Sequence, residues 1–292
     1  MSVAVVADTT HYLPREIVDA EGIRLVSLYV NWPGIQEREV DLLDFTDFYE
    51  RLRVARELPT TSQPSIGDFL AVYEPLVAEG RDVLSIHLSG GISGTVDAAR
   101  QAAEQVAERG HAGRVEVMDS QTACGGLGLL VLGAARAARA GADLRGTADA
   151  ARRVREVLKI WFAVDTLEYL QRGGRIGKAQ ALVGAALKIK PILSIESEIL
   201  PIERVRTAGR AYERLVEYMH SRREDGADGW VVQHIQAPDQ AERLVVTGRE
   251  LFGSEPLWVS EIGPVIGAHV GPGLLGVGGC PRRLVEFSGG TS

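Results

Sequence analysis

Apolar positions along this chain fall in short blocks separated by stretches with helical spacing. Residues 3–7 are uninterruptedly apolar, as in a strand covered on both faces. Pro14 opens a short helix, residues 23–30 return as a strand, and Pro33-Gly34 supplies a turn. Asp44 and Asp47 start a helix that places Phe45, Phe48, Tyr49 and Leu52 at helical spacing. Another helix starts at Ser65, where Asp68 completes a capping box. Residues 83–88 and 115–118 read as strands, each leading through a loop into a helix; the second helix, from about 125 to 140, is rich in Ala, Leu and Gly. Strands alternating with helices predict βαβ units and a mostly parallel sheet.

Beyond residue 143 the pattern changes. Residues 147–158 form a basic amphipathic helix carrying Arg152, Arg153 and Arg155, and residues 160–164 a strand. Arg172-Gly173-Gly174-Arg175-Ile176-Gly177 is a glycine-broken segment, followed by an apolar helix through Leu187. Residues 189–195 and 199–205 pair as a hairpin about Glu196-Ser197-Glu198, and Thr207 caps a helix to about residue 222. A strand at 230–235, a helix from Asp239 and a strand at 257–262 complete the reading. The expected fold is a two-domain α/β protein. Residues 1–159 form an N-terminal α/β domain with a parallel sheet, and residues 160–292 a C-terminal α+β domain with a mixed sheet.

Composition narrows the function. The 292 residues carry 32 Lys+Arg against 39 Asp+Glu, a net charge of −7, which argues against a general nucleic-acid binder. Two cysteines, Cys124 and Cys280, make neither a disulfide framework nor a zinc site, so a reducing cytoplasmic setting is expected. The N-terminus reads as a strand and not a signal peptide, and the apolar stretch at 125–137 is too short to span a bilayer.

Three hydroxyl-rich loops stand at helix starts: Thr60-Thr61-Ser62-Gln63-Pro64-Ser65, Ser89-Gly90-Gly91-Ile92-Ser93-Gly94-Thr95 and Asp119-Ser120-Gln121-Thr122. Such residues either cap helices or, on the carboxyl edge of a sheet, bind an anion with the helix amides. Ser93 lacks the Gly-x-Ser-x-Gly frame of a nucleophile elbow, and none of the six histidines has a context that marks it as a base. Gly271-Pro272-Gly273-Leu274-Leu275-Gly276 matches a dinucleotide fingerprint, but too little chain follows it for the acid about 20 residues downstream. His269 sits in a glycine-rich turn, where it either donates to an anion or bonds to backbone. Arg172 and Arg175 flank Gly173-Gly174 as a solvated turn or a docking surface, and with Lys188, Lys190, Arg204, Arg206 and Arg210 make the second half locally basic.

Five segments in order carry a resemblance. They are Thr61-Ser62-Gln63-Pro64-Ser65, Ser89-Gly90-Gly91-Ile92-Ser93-Gly94-Thr95, Leu167-Glu168-Tyr169-Leu170-Gln171-Arg172-Gly173-Gly174-Arg175-Ile176-Gly177, Lys188-Ile189-Lys190-Pro191-Ile192-Leu193 and Gly267-Ala268-His269-Val270-Gly271-Pro272-Gly273. Together they resemble the DegV family of bacterial fatty-acid-binding proteins; His11-Tyr12, Cys124 and the glycine-rich tail from Val277 depart from its pattern. The resemblance implies one long-chain fatty acid, its carboxylate bound by Thr61, Ser62, Ser93, Gly94 and His269. It implies a carrier without cofactor or metal, not an enzyme by itself, that presents the carboxylate to the catalytic subunit of a fatty acid kinase. The acyl phosphate would then move toward phospholipid synthesis, with transient contact at a membrane surface. Arg172, Arg175 and Arg206 match basic positions suited to docking that partner. The rival reading is an enzyme acting on a small carboxylated or phosphorylated substrate, with His269 as acid/base.

Overall fold

The computed structural model describes residues 2–184 and 189–286. The chain begins with β1 (Val3–Asp8), a 3-10 turn (Thr9–His11) and α1 (Arg15–Glu21), then β2 (Arg24–Val26), β3 (Tyr29–Trp32), β4 (Ile35–Arg38) and α2 (Thr46–Val54). It continues through β5 (Thr60–Ser62), α3 (Ile66–Ala78), β6 (Asp82–His87), α4 (Thr95–Glu108), β7 (Val115–Asp119), α5 (Cys124–Arg139) and α6 (Leu144–Val157). The remainder is β8 (Lys159–Ala163), α7 (Glu168–Arg172), β9 (Lys190–Glu196), β10 (Glu198–Val205), α8 (Ala208–Glu224), β11 (Gly229–His234), α9 (Pro238–Phe252), β12 (Trp258–Glu261), α10 (Pro264–Val270) and β13 (Leu275–Cys280).

These strands make a parallel sheet in the order β2-β1-β6-β7, a mixed sheet β10-β9-β8-β13-β11-β12 and a small antiparallel sheet β4-β3-β5. The two-domain α/β architecture expected from the sequence is therefore present. β1 is apolar throughout because both its faces are covered: Ala4 and Val6 join the core under α3 and α4, while Val3, Val5 and Ala7 join the core around α5. The mixed sheet packs α8 and α9 on one face through Leu215, Met219, Leu244 and Trp230. Its other face looks toward α5, which touches β1 and β6 on one side and β11 and β13 on the other. A helix enclosed by two sheets must be apolar all round, and nearly every residue of α5 up to Ala137 is buried. Gly128 admits Trp258 and the His11 carbonyl, which an added Cβ would meet at 2.9 and 3.2 Å.

Several expectations change. The single strand at 23–30 is two strands of different sheets, because at Ser27-Leu28 the chain leaves the parallel sheet and the Leu28 carbonyl accepts Glu39 N at 3.0 Å. Thr60–Ser62, read as a loop at a helix start, is β5 paired to β3; the helix cap is Ser65 alone, whose box with Asp68 forms as expected. The glycine-rich tail holds β13, a central strand that alternates apolar residues toward α8 with Gly276 and Gly278 toward α5. Gly177–Leu182 is a 3-10 turn where the apolar helix was expected; residues 185–188, with Leu187 and Lys188, lie outside the described residues. The basic second half is neutralised in part: Lys190 pairs with Asp165, and Arg210 with Glu213 and Glu217.

Leu130 of α5 is fully buried in the core that this helix shares with both sheets. Leu130→Ala is expected to destabilise the protein by about 2–5 kcal/mol in urea unfolding; a loss below about 1 kcal/mol would contradict this view of the interlayer core.

Candidate functional site

Where α5 begins, the layer between the two sheets continues as a cavity of about 390 Å³, within the range of small-molecule sites of about 300–1,000 Å³. The mixed sheet supplies its floor through Phe162, Ile195, Val231 and Gly276; α10 and Leu88 are among the opposite walls. Gly276 and Gly278 matter here because the strand can lie flat beneath Phe162 and Ile160, which an added Cβ would meet at 3.1 and 2.8 Å. The lining is apolar except at one end and at Gln233, whose carbonyl oxygen accepts the Gly125 amide of α5 and whose amide donates to Ser260 Oγ at 2.9 Å.

The polar end gathers Thr61, Ser62, Gln63, Ser93, Gly94, Arg175 and His269. β5 brings Thr61 there by pairing with Val30 of β3. Successive strand residues face opposite ways, so Ser62 turns its hydroxyl to Asn31, accepting its Nδ2 at 3.3 Å. Ser93 lies two residues before α4, accepts the Thr95 amide at 3.3 Å and shares a hydrogen bond with the Thr95 hydroxyl at 2.8 Å. The positive end of this fourteen-residue helix therefore opens on the site. Gly94 permits Gln63 to lie against the backbone, where any Cβ would collide with the Gln63 side chain.

His269 differs from expectation: it stands in the last turn of α10, not in a glycine turn. Its Nε2 and Thr61 Oγ1 are 2.7 Å apart, and its buried Nδ1 has no partner among the described residues. A buried orphan N–H costs more than a bare lone pair. The proton is accordingly assigned to Nε2; in that tautomer Nε2 donates to Thr61 and the Thr61 proton can point into the cavity. Burial, with the Arg175 charge adding to it, pushes the imidazole down to about 4, so it is neutral near pH 7. A Cβ on Gly173 would collide with Nδ1, which accounts for a glycine between Arg172 and Arg175.

The proposed docking arginines separate. Arg175 lies at the mouth, donating to the Gly173 carbonyl at 2.7 Å and to the Ile92 carbonyl at 3.4 Å. Arg172 pairs with Glu168 at 3.3 Å, and Arg206 is exposed beyond β10; neither lines the cavity. The third hydroxyl loop brings no hydroxyl to the site, since Asp119 binds the amides of Gly90 and Gln121 and Ser120 turns to the Thr122 carbonyl.

Two polar clusters were illegible in the sequence. Asp8, His87, Ser85 and Tyr73 form one buried chain: Tyr73 donates to Ser85 at 2.7 Å, Ser85 and His87 Nε2 are 2.7 Å apart, and His87 Nδ1 lies 3.2 Å from Asp8. Burial would raise the Asp8 carboxyl, but bonds from His87, Thr10 and the Leu88 amide outweigh it and hold it low. All four are sealed from solvent and none lines the cavity, so this Ser-His-Asp order ties β1 to β6 and α3. The second cluster is Glu39, whose oxygens accept the Thr9 hydroxyl at 2.5 Å and both the Tyr12 hydroxyl and the Val265 amide at 2.8 Å. Among the described residues no group of three or more His, Cys, Asp or Glu could hold a metal ion, and no helix is long and apolar enough to cross a membrane.

These features define a two-domain α/β protein built around an apolar cavity with one hydroxyl-lined end and an arginine at its mouth. The chain belongs to the DegV family: the family model described as "Uncharacterised protein, DegV family" matches residues 2–282. A DegV domain-containing protein of Streptomyces coelicolor is 40% identical over 94% of this chain and 97% of its own length. Protein DegV of Bacillus subtilis is 36% identical over 96% of this chain and 99% of its own. The crystal structure of DegV, described as a fatty acid binding protein from Bacillus subtilis, superposes with a TM-score of 0.87 at 35% identity, covering 96% of this chain and 99% of that one. A Thermus thermophilus DegV family protein, described for its fatty acid binding, gives 0.85 at 35% identity with the same coverage.

Burial outweighs its three hydrogen bonds and raises the Glu39 carboxyl from 4.5 to about 7. The folded protein thus holds this proton more tightly than the unfolded chain, and the stability it contributes is complete below pH 4.5 and lost as pH rises to about 7. Glu39→Gln is expected to remove a decline on the order of 3 kcal/mol across that window, read as the difference between wild-type and variant unfolding curves at successive pH values. Parallel curves would contradict the assignment.

Proposed function

We propose that this protein binds one long-chain fatty acid, with the carboxylate at the Thr61/Ser93/His269 end and the acyl chain along the cavity. The observation that carries the reading is the cavity itself, apolar along its walls and lined at one end by hydroxyls and a helix N-terminus. Carboxylates suit such donors, which bind charge without a buried counter-ion. Burying methylenes yields about 0.8 kcal/mol each, so a sixteen-carbon tail gains on the order of 10 kcal/mol before ordering costs. The fatty acid binding described for the Bacillus subtilis and Thermus thermophilus relatives supports the same reading.

The protein then acts as a cytoplasmic carrier without a cofactor, presenting the head to the catalytic subunit of a fatty acid kinase and carrying the acyl phosphate toward phospholipid synthesis. Arg175 at the mouth supports a docking edge there, with Arg172 and Arg206 farther out. Transient contact with a membrane surface would load it. The alternative, His269 as acid/base on a small carboxylated or phosphorylated substrate, is the less favoured reading, since burial lowers the imidazole to about 4.

Native mass spectrometry of freshly purified protein, followed by lipid extraction, is expected to find one fatty acid per chain. Protein that arrives lipid-free and takes up neither oleate nor palmitate would overturn the reading. Thr61→Val and Ser93→Ala each remove one donor to a charged group, so each is expected to weaken oleate binding by about 10-fold or more. Unchanged affinity in the double variant would remove the head site.

A further inference from the structure

The helix that carries His269 is held at its other end by a buried acid that no part of the binding chemistry requires. Glu39 is 3% exposed, and its partners, the Thr9 hydroxyl, the Tyr12 hydroxyl and the Val265 amide, are all neutral. The Tyr12 hydroxyl in turn accepts the Ile266 amide at 3.3 Å. The first turn of α10 therefore delivers two of its free amides to Glu39, one directly and one through a single phenol; Pro264 has no amide proton to place. The seating is close. An added Cβ on Gly263 would meet Tyr12 Cε1 at 2.7 Å, Glu39 Oε1 at 2.9 Å and Phe45 Cζ at 3.0 Å, and one on Gly267 would collide with the Tyr49 ring and hydroxyl.

We propose that Glu39 is the positioning residue of the head site, fixing α10 so that His269 meets Thr61 in register. Val265 and His269 are one turn apart and both line the cavity, so they share a face of α10. A rotation or slide of the first turn is transmitted along so short a helix to the imidazole, whose one described hydrogen bond is to Thr61. An apolar side chain in place of Glu39 would fill the same core without desolvating an acid. What the acid adds is two directional bonds to one helix end. The functional side of this proposal rests on reading the Thr61/His269 end as the fatty-acid head site.

The test compares Glu39→Ala with Glu39→Gln in lipid-stripped protein, reading the ring nitrogen resonances of His269 and then the release rate of loaded oleate. Glutamine can still accept from Tyr12 and Val265 through its carbonyl oxygen and donate to Thr9. Glu39→Gln is therefore expected to keep the wild-type His269 resonances and an oleate release rate within about two-fold of wild type. Glu39→Ala is expected to shift the His269 resonances and speed release by about ten-fold or more. Leu130→Ala, away from the cavity, serves as the control for lost stability alone and should leave the His269 resonances in place. If Glu39→Ala does not fold, Tyr12→Phe cuts the relayed link and should shift His269 in the same direction by less. Unmoved His269 resonances in both Glu39→Ala and Tyr12→Phe, or a Gln variant that behaves like Ala, would overturn the proposal. Wild-type protein that binds no oleate would instead remove the fatty-acid reading, while the resonances still decide the role of Glu39.

Discussion

The cavity of this protein follows from α5 being shared by two sheets and starting at Cys124. Its apolar surface fills the space between β1 and β6 on one side and β11 and β13 on the other. Protein interiors close such gaps to crystal-like density, so a cavity of about 390 Å³ beyond Cys124 has to be kept open by what surrounds it. Three features do so. Gln233 accepts the α5 amide at Gly125; Gly276 and Gly278 leave β13 without side chains of its own on that face; and α10 is tied to the opposite wall through Glu39, Tyr12 and Tyr49.

The polar end combines hydroxyls and an uncharged imidazole with the Arg175 guanidinium at its mouth. His269 is held uncharged by burial beside Arg175 and shares a hydrogen bond with the Thr61 hydroxyl. Ser93 stands where α4 begins, so hydroxyl and helix end reinforce each other. Arg175 lies at the mouth, bonded to carbonyls of both bordering segments.

The sequence made the two-sided strands legible because their apolar runs need no knowledge of partners, and it made Ser65 legible because its cap is local. Thr61, Ser93 and His269 were found through motif resemblance, and the structure brings them to one cavity end. What stayed hidden depends on contacts distant in the chain. Three polar residues, Thr60–Ser62, become a strand only because Tyr29–Asn31 pairs with them. β13 was hidden because its glycines carry no strand signal, their advantage being room for Ile160 and Phe162. α10 is short and opens on proline, so no periodicity marks it. Glu39 sits in a run that reads as a charged surface and is instead buried against Thr9 and Val265.

Oleate labelled with carbon-13 at its carboxyl group tests the central claim most directly, because the claim concerns where that one atom sits. Bound to the wild-type protein it should give a single sharp resonance away from that of free oleate, displaced again by Ser93→Ala and by Thr61→Val, with cross-relaxation to the His269 ring. A bound carboxyl resonance that coincides with free oleate and ignores both substitutions would mean that the head lies in solvent and that the hydroxyl-lined end serves something else.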